Sequence, residues 1–309
     1  MGQAMALNLQ KHLHRSGAPS LRFYNRTLAR GLALGKIGGE QKTSVEDVIS
    51  HSDICFISVS DDEALTAIIT SILGAVTANN LGQKIIVDTS TVHPDTSRWA
   101  QRTLKEEDVS FVAAPVFGAS PVAEKGELLF VVAGEEEHVE TIQPFLVGVM
   151  ARKVLRLRDD VGQATMLKTA GNFLTAGMME LVAEAQVFAE KTGIGSESME
   201  SLLKEQYGPL PLAMSKRMTG GFYLPKRGER PWSDLQLAQK DVNMGISCAR
   251  AAGTALPVAE VVSKHLDEAH KYSEVNHRAS DSSSMYGVLR KNAGLRFESD
   301  QVLEREGEV

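Results

Sequence analysis

The sequence predicts a doubly wound α/β domain followed by an all-α domain, and three observations carry that expectation. Up to about residue 160, short apolar runs alternate with segments of helical period, the pattern of strand–helix–strand units in a parallel sheet. From about residue 162 onward the apolar residues keep helical spacing alone. Polar clusters at 25–27, 58–62, 88–91 and 115–120 all fall at the carboxyl ends of the apolar runs, where open parallel sheets bind their ligands. The expected domains are 1–160 and 161–295, followed by a charged tail over 296–309.

Each element has its own warrant. Met5, Leu9 and Leu13 recur at helical spacing from the very start, and Gly17 ends that helix. Leu21 to Tyr24 makes a short strand, and 28–36 is helical up to the break at Gly38-Gly39. Ser44 caps a helix to Ser50, with Asp47 at the capping-box position. Asp53 to Ser60 reads as a buried parallel strand. Asp61, Asp62 and Glu63 then open a helix, at the end where acidic residues suit the dipole. Lys84 to Asp88, Phe111 to Ala114 and Leu128 to Ala133 are further strands, with a helix over 95–106. Residues 164–191 are apolar on most faces, which places that helix in a core or an interface. Helices over 196–206, 209–219, 234–252, 257–272 and 282–290 follow. Gly220 to Ser233, rich in Gly, Pro and basic residues, reads as a surface excursion, and the tail after Gly294 as frayed.

Composition narrows the function classes. With 309 residues and 43% hydrophobic content the chain is globular and long enough for a substantial core. A net charge of -6 argues against a nucleic-acid binder built on phosphate contacts. No apolar run of about 18 residues predicts a membrane span, and no signal peptide opens the chain. Cys55 and Cys248 lie in apolar segments and read as buried thiols, too few for a zinc site, so no metal is expected. A reducing, cytoplasmic setting fits. A mitochondrial one stays open if a targeting segment precedes residue 1.

The stretch Gly162 to Asn172 carries the chemistry. Lys168 and Asn172 stand four residues apart, early in a long helix, and so share one face. A helix lysine is more often a snorkelling surface residue, but the apolar surroundings and Asn172 one turn on reverse that reading. Alone, Gly2 would be a helix-packing glycine and Asp88-Thr89-Ser90-Thr91 a locally capped turn.

Taken together, these motifs resemble the β-hydroxyacid dehydrogenase family, which includes the 3-hydroxyisobutyrate dehydrogenases and the glyoxylate/succinic semialdehyde reductases. The matching residues are Met1-Gly2-x-x-Met-Ala-x-Asn-Leu9, Asp88 to Pro94, Ala114-Pro-Val-Phe-Gly118 with Gly126 to Gly134, Gly162/Lys168/Asn172 and, more weakly, Lys240-Asp241. The resemblance implies a Rossmann-type N-terminal domain, an all-α C-terminal domain and a nicotinamide cofactor. Lys168 would be the acid/base, with a pKa depressed by partial burial, and Asn172 its partner. Gly2 would be the last glycine of the cofactor fingerprint, opening a helix onto the pyrophosphate. Ser60, Thr91 and Lys240 would reach the cofactor. Ser90, Phe117, Gly118 and Ala119, with Lys168 and Asn172, would surround a small-molecule carboxylate. Asn25-Arg26-Thr27 holds an arginine fork and no acid where NAD enzymes bind ribose hydroxyls, so NADP is expected over NAD.

Two departures from the family stand out. The chain begins inside the glycine-rich fingerprint, so it is expected to be N-terminally truncated and to lack the first strand. Phe117 stands where a serine is usual, which removes a hydroxyl donor and adds an aromatic wall. The expected function is an NADP-dependent oxidoreductase interconverting a small β-hydroxyacid, or a related hydroxyl compound, and its carbonyl. It is expected to act as a homo-oligomer, dimer or tetramer. A non-catalytic or cofactor-impaired binding protein is the alternative, and imine reduction is a third reading that Lys168 weighs against.

Overall fold

The strands divide among three small sheets. The computed structural model describes residues 1–79 and 81–307 and separates into two units, Met1–Lys168 and Thr169–Val309. In chain order the first unit runs α1 (Gly2–Ser16), β1 (Arg22–Phe23), a 3-10 turn leading into α2 (Leu32–Gly35), β2 (Glu40–Gln41), α3 (Val45–Ser50), β3 (Ile54–Ile57), α4 (Asp62–Asn79), β4 (Ile85–Asp88), α5 (Pro94–Lys105), β5 (Ser110–Ala113), β6 (Val116–Phe117), α6 (Ser120–Glu124), β7 (Leu128–Val132), α7 (Glu136–Ile142) and β8 (Ala151–Arg156). The expected helix and strand positions correspond, and Ser44 Oγ accepts the Asp47 N–H as the capping motif requires.

β1 pairs with β2, and β3, β4 and β5 pair side by side, all parallel. β7 pairs in parallel with β8 and antiparallel with β6. A bridge from Ala113 to Ala133 joins β5 to the segment after β7. The sheet of β6, β7 and β8 is therefore mixed: β6, a two-residue strand directly after Pro115, is too short to show a period. β4 is buried along its whole length. Ile86 packs with α4 and α5, while Ile85 and Val87 pack with Met5 and Leu9 of α1 on the other face. Covering both faces is what makes a strand of this kind continuously apolar.

The second unit is helical among the described residues. α8 (Val161–Thr192) leads into it, followed by α9 (Ser196–Leu202), a π-helical turn, α10 (Pro209–Thr219), α11 (Leu235–Ala251), α12 (Pro257–Val275), α13 (Met285–Asn292) and α14 (Asp300–Glu306). No described helix is long and apolar enough to cross a membrane. Both cysteines are buried and in no disulfide, and burial pushes the Cys55 thiol up to about 12.

Two expectations are corrected here. The segment 220–233 is not a free excursion: Tyr223, Leu224 and Pro225 are buried, with Tyr223 fully enclosed. Asp281, also fully buried, accepts hydrogen bonds from Arg217, the Ser233 N–H and Ser283, and so pins the end of the loop. The stretch after Gly294 is not frayed. It folds into α14, which buries Val302 and Leu303, and Arg305 donates to the Gly221 and Leu224 carbonyls. The anchors from Arg217, Ser233 and Arg305 couple residues 48 to 84 positions apart and leave no local trace in the sequence. Residues 308 and 309 of the tail lie outside the described residues.

Tyr223 Oη donates to the Phe297 carbonyl at 2.8 Å and accepts the Ser299 N–H at 2.7 Å. Burial raises its pKa to about 12. Removing the hydroxyl strands two buried backbone groups, so Tyr223→Phe should lose about 1–3 kcal/mol in urea unfolding.

Candidate active site

In the first unit the polar residues gather where the strands end. Gly2 opens α1 directly against the end of β3: a Cβ there would stand 3.1 Å from Ser58. No side chain caps the first turn of α1, and no acidic residue lies in it. Ser90 Oγ accepts the Val59 N–H at 2.9 Å, and the Ser90 N–H donates to Asp88 Oδ1 at 3.0 Å. Thr89 Oγ1 donates to the Ile57 carbonyl at 2.7 Å. These bonds clamp the ends of β3 and β4 together, directly before Thr91. Ser60 is exposed and donates to Asp61 Oδ2 at 2.6 Å.

After β1, Asn25 Nδ2 donates to the Thr27 carbonyl at 2.7 Å. That turn leaves the Arg26 and Thr27 side chains in solvent. Arg30, a second exposed arginine, has its carbonyl tied to Gln3 Nε2 of α1 at 3.1 Å.

The loop 117–119 is set by Gly118, whose φ of 134° is one that side chains rarely adopt, and a Cβ there would come within 2.7 Å of Leu128. Phe117 ends β6 just before it, and Ala119 is the N-cap of α6. The Lys168 Nζ sits over the Phe117 ring, 4.2 Å from its centroid. Lys168 is buried, at 8% exposure. Sequence reasoning placed these two residues in one site. The direct contact between ring and ammonium is new.

The start of α8 is fixed by residues the sequence did not single out. Asp160 accepts the Gly162 N–H at 3.0 Å, and Arg98 of α5 grips both Asp160 oxygens at 3.0 Å. The hydrogen bond from Arg98 holds the Asp160 carboxyl below its ordinary range and raises Arg98 in turn. Any Cβ at Gly162 would fall 2.4 Å from the Arg98 guanidinium, so Gly162 is needed for this close approach. Arg98 and Asp160 are 62 positions apart, which no local pattern reveals.

In the second unit, Asn172 Nδ2 donates to Asp241 Oδ2 at 2.7 Å, and Lys240 Nζ lies 3.2 Å from Asp241 Oδ1. Thr169 Oγ1 donates to Met244 Sδ at 3.4 Å, so α8 and α11 are joined at two points about one turn apart. The sequence paired Lys240 with Asp241 and missed that Asp241 orients the Asn172 amide.

Comparison with known proteins assigns the class. Residues 1–157 match the NAD binding domain of 6-phosphogluconate dehydrogenase. Residues 162–289 match the NAD-binding domain of NADP-dependent 3-hydroxyisobutyrate dehydrogenase. The chain belongs to the β-hydroxyacid dehydrogenase family of NAD(P)-dependent oxidoreductases acting on CH–OH groups. Among its relatives is the NADH-dependent oxidoreductase ucdB of Aspergillus ustus, 31% identical over 301 residues, or 96% of this chain and 98% of that protein. The 2-hydroxy-3-oxopropionate reductase of Escherichia coli is 29% identical over 83% of this chain and 84% of its own length. The fold superposes on a solved structure of Mycobacterium tuberculosis 3-hydroxyisobutyrate dehydrogenase with L-serine. The TM-score is 0.76 at 21% identity, over 94% of this chain and 96% of that one.

The Asn172–Asp241 bond can be weighed directly. In a double-mutant cycle of Asn172→Ala and Asp241→Ala, unfolding should show a coupling of about 1–3 kcal/mol. A coupling near zero would mean that the two residues are held independently.

Proposed function

We propose that the chain interconverts a small β-hydroxyacid, or a related hydroxyl compound, and its carbonyl form with NADP(H), Lys168 serving as general acid in reduction and general base in oxidation. The observation that carries this reading is the buried Lys168 over Phe117, one helical turn before an asparagine whose amide Asp241 orients. A bound nicotinamide supplies or accepts the hydride at the substrate carbon. The chain is left to manage the proton on the substrate oxygen. In reduction Lys168 Nζ gives a proton to that oxygen as its negative charge develops; in oxidation it takes the proton back. Asn172 orients the substrate, and Ser90 and the 117–119 loop line its path.

The residues present fit the dinucleotide. The uncapped start of α1 at Gly2 suits the pyrophosphate. Ser60 and Thr91, at the strand ends, suit ribose and nicotinamide, and Lys240 is a further contact that the family resemblance supports. Asn25, Arg26 and Thr27 suit a 2′-phosphate, with Arg30 a second exposed guanidinium nearby in sequence. The Aspergillus relative is described as NADH-dependent, so the preference for NADP rests on Arg26 and on the absence of an acid beside it.

We also infer a dimer, or a tetramer built from dimers. Leu167, Leu174, Leu181 and Phe188 recur every seven residues along α8 and are 39–63% exposed. A seven-residue apolar stripe is the seam by which helices of two copies pack. The domain limits read from sequence, 1–160 and 161–295, serve cofactor binding and substrate binding with assembly, respectively. The buried thiols suit a reducing compartment, and we place the protein in the cytoplasm.

Lys168→Ala should lower kcat by about 10²–10⁴-fold in steady-state assays at neutral pH, and a loss under about threefold would contradict the acid/base role. Arg26→Ala should weaken NADPH binding by about tenfold, measured by fluorescence titration, and leave NADH within about twofold. An equal loss for both cofactors would place Arg26 outside the phosphate site.

A further inference from the structure

We propose that Asn8 is the positioning residue through which a dinucleotide bound at the start of α1 holds the substrate loop 117–119 in place. The inference rests on the reading given above of α1 as the pyrophosphate helix and of 117–119 as part of the substrate path.

Asn8 stands on α1 six residues after Gly2, about 9 Å along the helix axis. Its amide nitrogen donates to the Ala123 carbonyl at 2.9 Å and to the Glu124 carbonyl at 3.4 Å. These are the last two residues of α6, whose carbonyls no later turn of that helix can satisfy. The Ala123 N–H in turn donates to the Ala119 carbonyl at 3.1 Å, and the Val122 N–H donates to the same oxygen at 3.0 Å. Ala123 therefore carries a bond from α1 on its carbonyl and a bond to the substrate loop on its N–H. The two bonds run in series from α1 through α6 to Ala119.

The parts between are stiff. Ala123 is fully buried in one apolar cluster with Met5 and Leu9 of α1 and Leu128 of β7. A Cβ on Gly118 would come within 2.7 Å of Leu128 and 3.1 Å of Val122, so the loop lies directly against α6. Beyond α6 the Gly126 N–H donates to the Ala123 carbonyl at 3.1 Å. Gly126 has a φ of 72°, and a Cβ there would fall 2.5 Å from the Val149 carbonyl oxygen. A short helix packed this closely transmits a shift rather than absorbing it. Apolar packing is non-directional. The directional bonds from Asn8 fix where along α1 the end of α6 sits. A pyrophosphate on the N–H groups at the start of α1 restrains that helix, and Asn8 passes the restraint to α6 and the loop. Cofactor and substrate then tighten each other's binding, since such coupling is reciprocal.

The test is hydrogen–deuterium exchange of the full chain, free and with saturating NADPH, in wild type, Asn8→Ala and Asn8→Leu. Leucine fills the space of asparagine but has no N–H to give, which covers the case in which the alanine variant fails to fold. In wild type NADPH should slow exchange over residues 2–9. It should also slow the amides of Val122, Ala123, Gly126 and Glu127 by at least about threefold. In both variants the slowing over 2–9 should remain, while that over 122–127 should shrink to within about 1.5-fold.

If NADPH slows 122–127 equally in wild type and both variants, the proposal is overturned, even where the variants exchange faster overall. That pattern belongs to a residue that only packs. Protection of 2–9 without protection of 122–127 in wild type overturns it as well. If neither NADPH nor NADH slows 2–9 in wild type, the reading of α1 as the cofactor helix fails, and the proposal falls with it.

Discussion

A buried ammonium group is the constraint around which the first unit is arranged. Taking a lysine out of water is costly unless other groups replace the water around it. Here the chain lays an aromatic face beneath Lys168 and keeps the lysine on a helix whose first turn is tied down by Arg98 and Asp160. The ring comes from β6, and the tie comes from α5. Three separate stretches of chain must be in register before the lysine has its environment.

The sheet supplies that register. β4 is buried throughout, and the ends of β3 and β4 are clamped by Ser90, Thr89 and the Ile57 carbonyl. α1 begins against the end of β3 because Gly2 has no side chain to hold it away from Ser58. These are packing and hydrogen-bonding facts, and they gather hydroxyls, backbone N–H groups and an open helix end on one side of the strands. An anionic cofactor suits such an edge. In the second unit Asp241 of α11 does comparable work, holding the Asn172 amide.

Much of this was legible in the sequence, for physical reasons that differ from residue to residue. Helix ends announce themselves locally: Gly17 closes α1 in a left-handed conformation, and Ser44 caps α3. Buried strands such as β4 show as unbroken apolar runs. Lys168 and Asn172 stood out because four-residue spacing fixes their relation on a helix. What stayed hidden depends on long-range contact. β6 is too short to show a period, Arg98 meets Asp160 across 62 positions, and Tyr223 is tied to Phe297 and Ser299, just before α14 and more than 70 positions away. The loop around Tyr223 has the composition of a surface excursion, yet one aromatic residue and one buried aspartate hold it to the core. The replacement of serine by Phe117 was visible in the sequence, but its position under the ammonium was not.

The central claim is that Lys168, in its place beside Phe117, gives the proton to the substrate oxygen. The most direct measurement is the pH profile of kcat/KM for carbonyl reduction in wild type and in Lys168→Met. An acid that must be protonated makes reduction fall as pH rises through its pKa. The account predicts that wild type shows this alkaline fall and that Lys168→Met is slow and flat over the same range. The same alkaline fall in both proteins would contradict it.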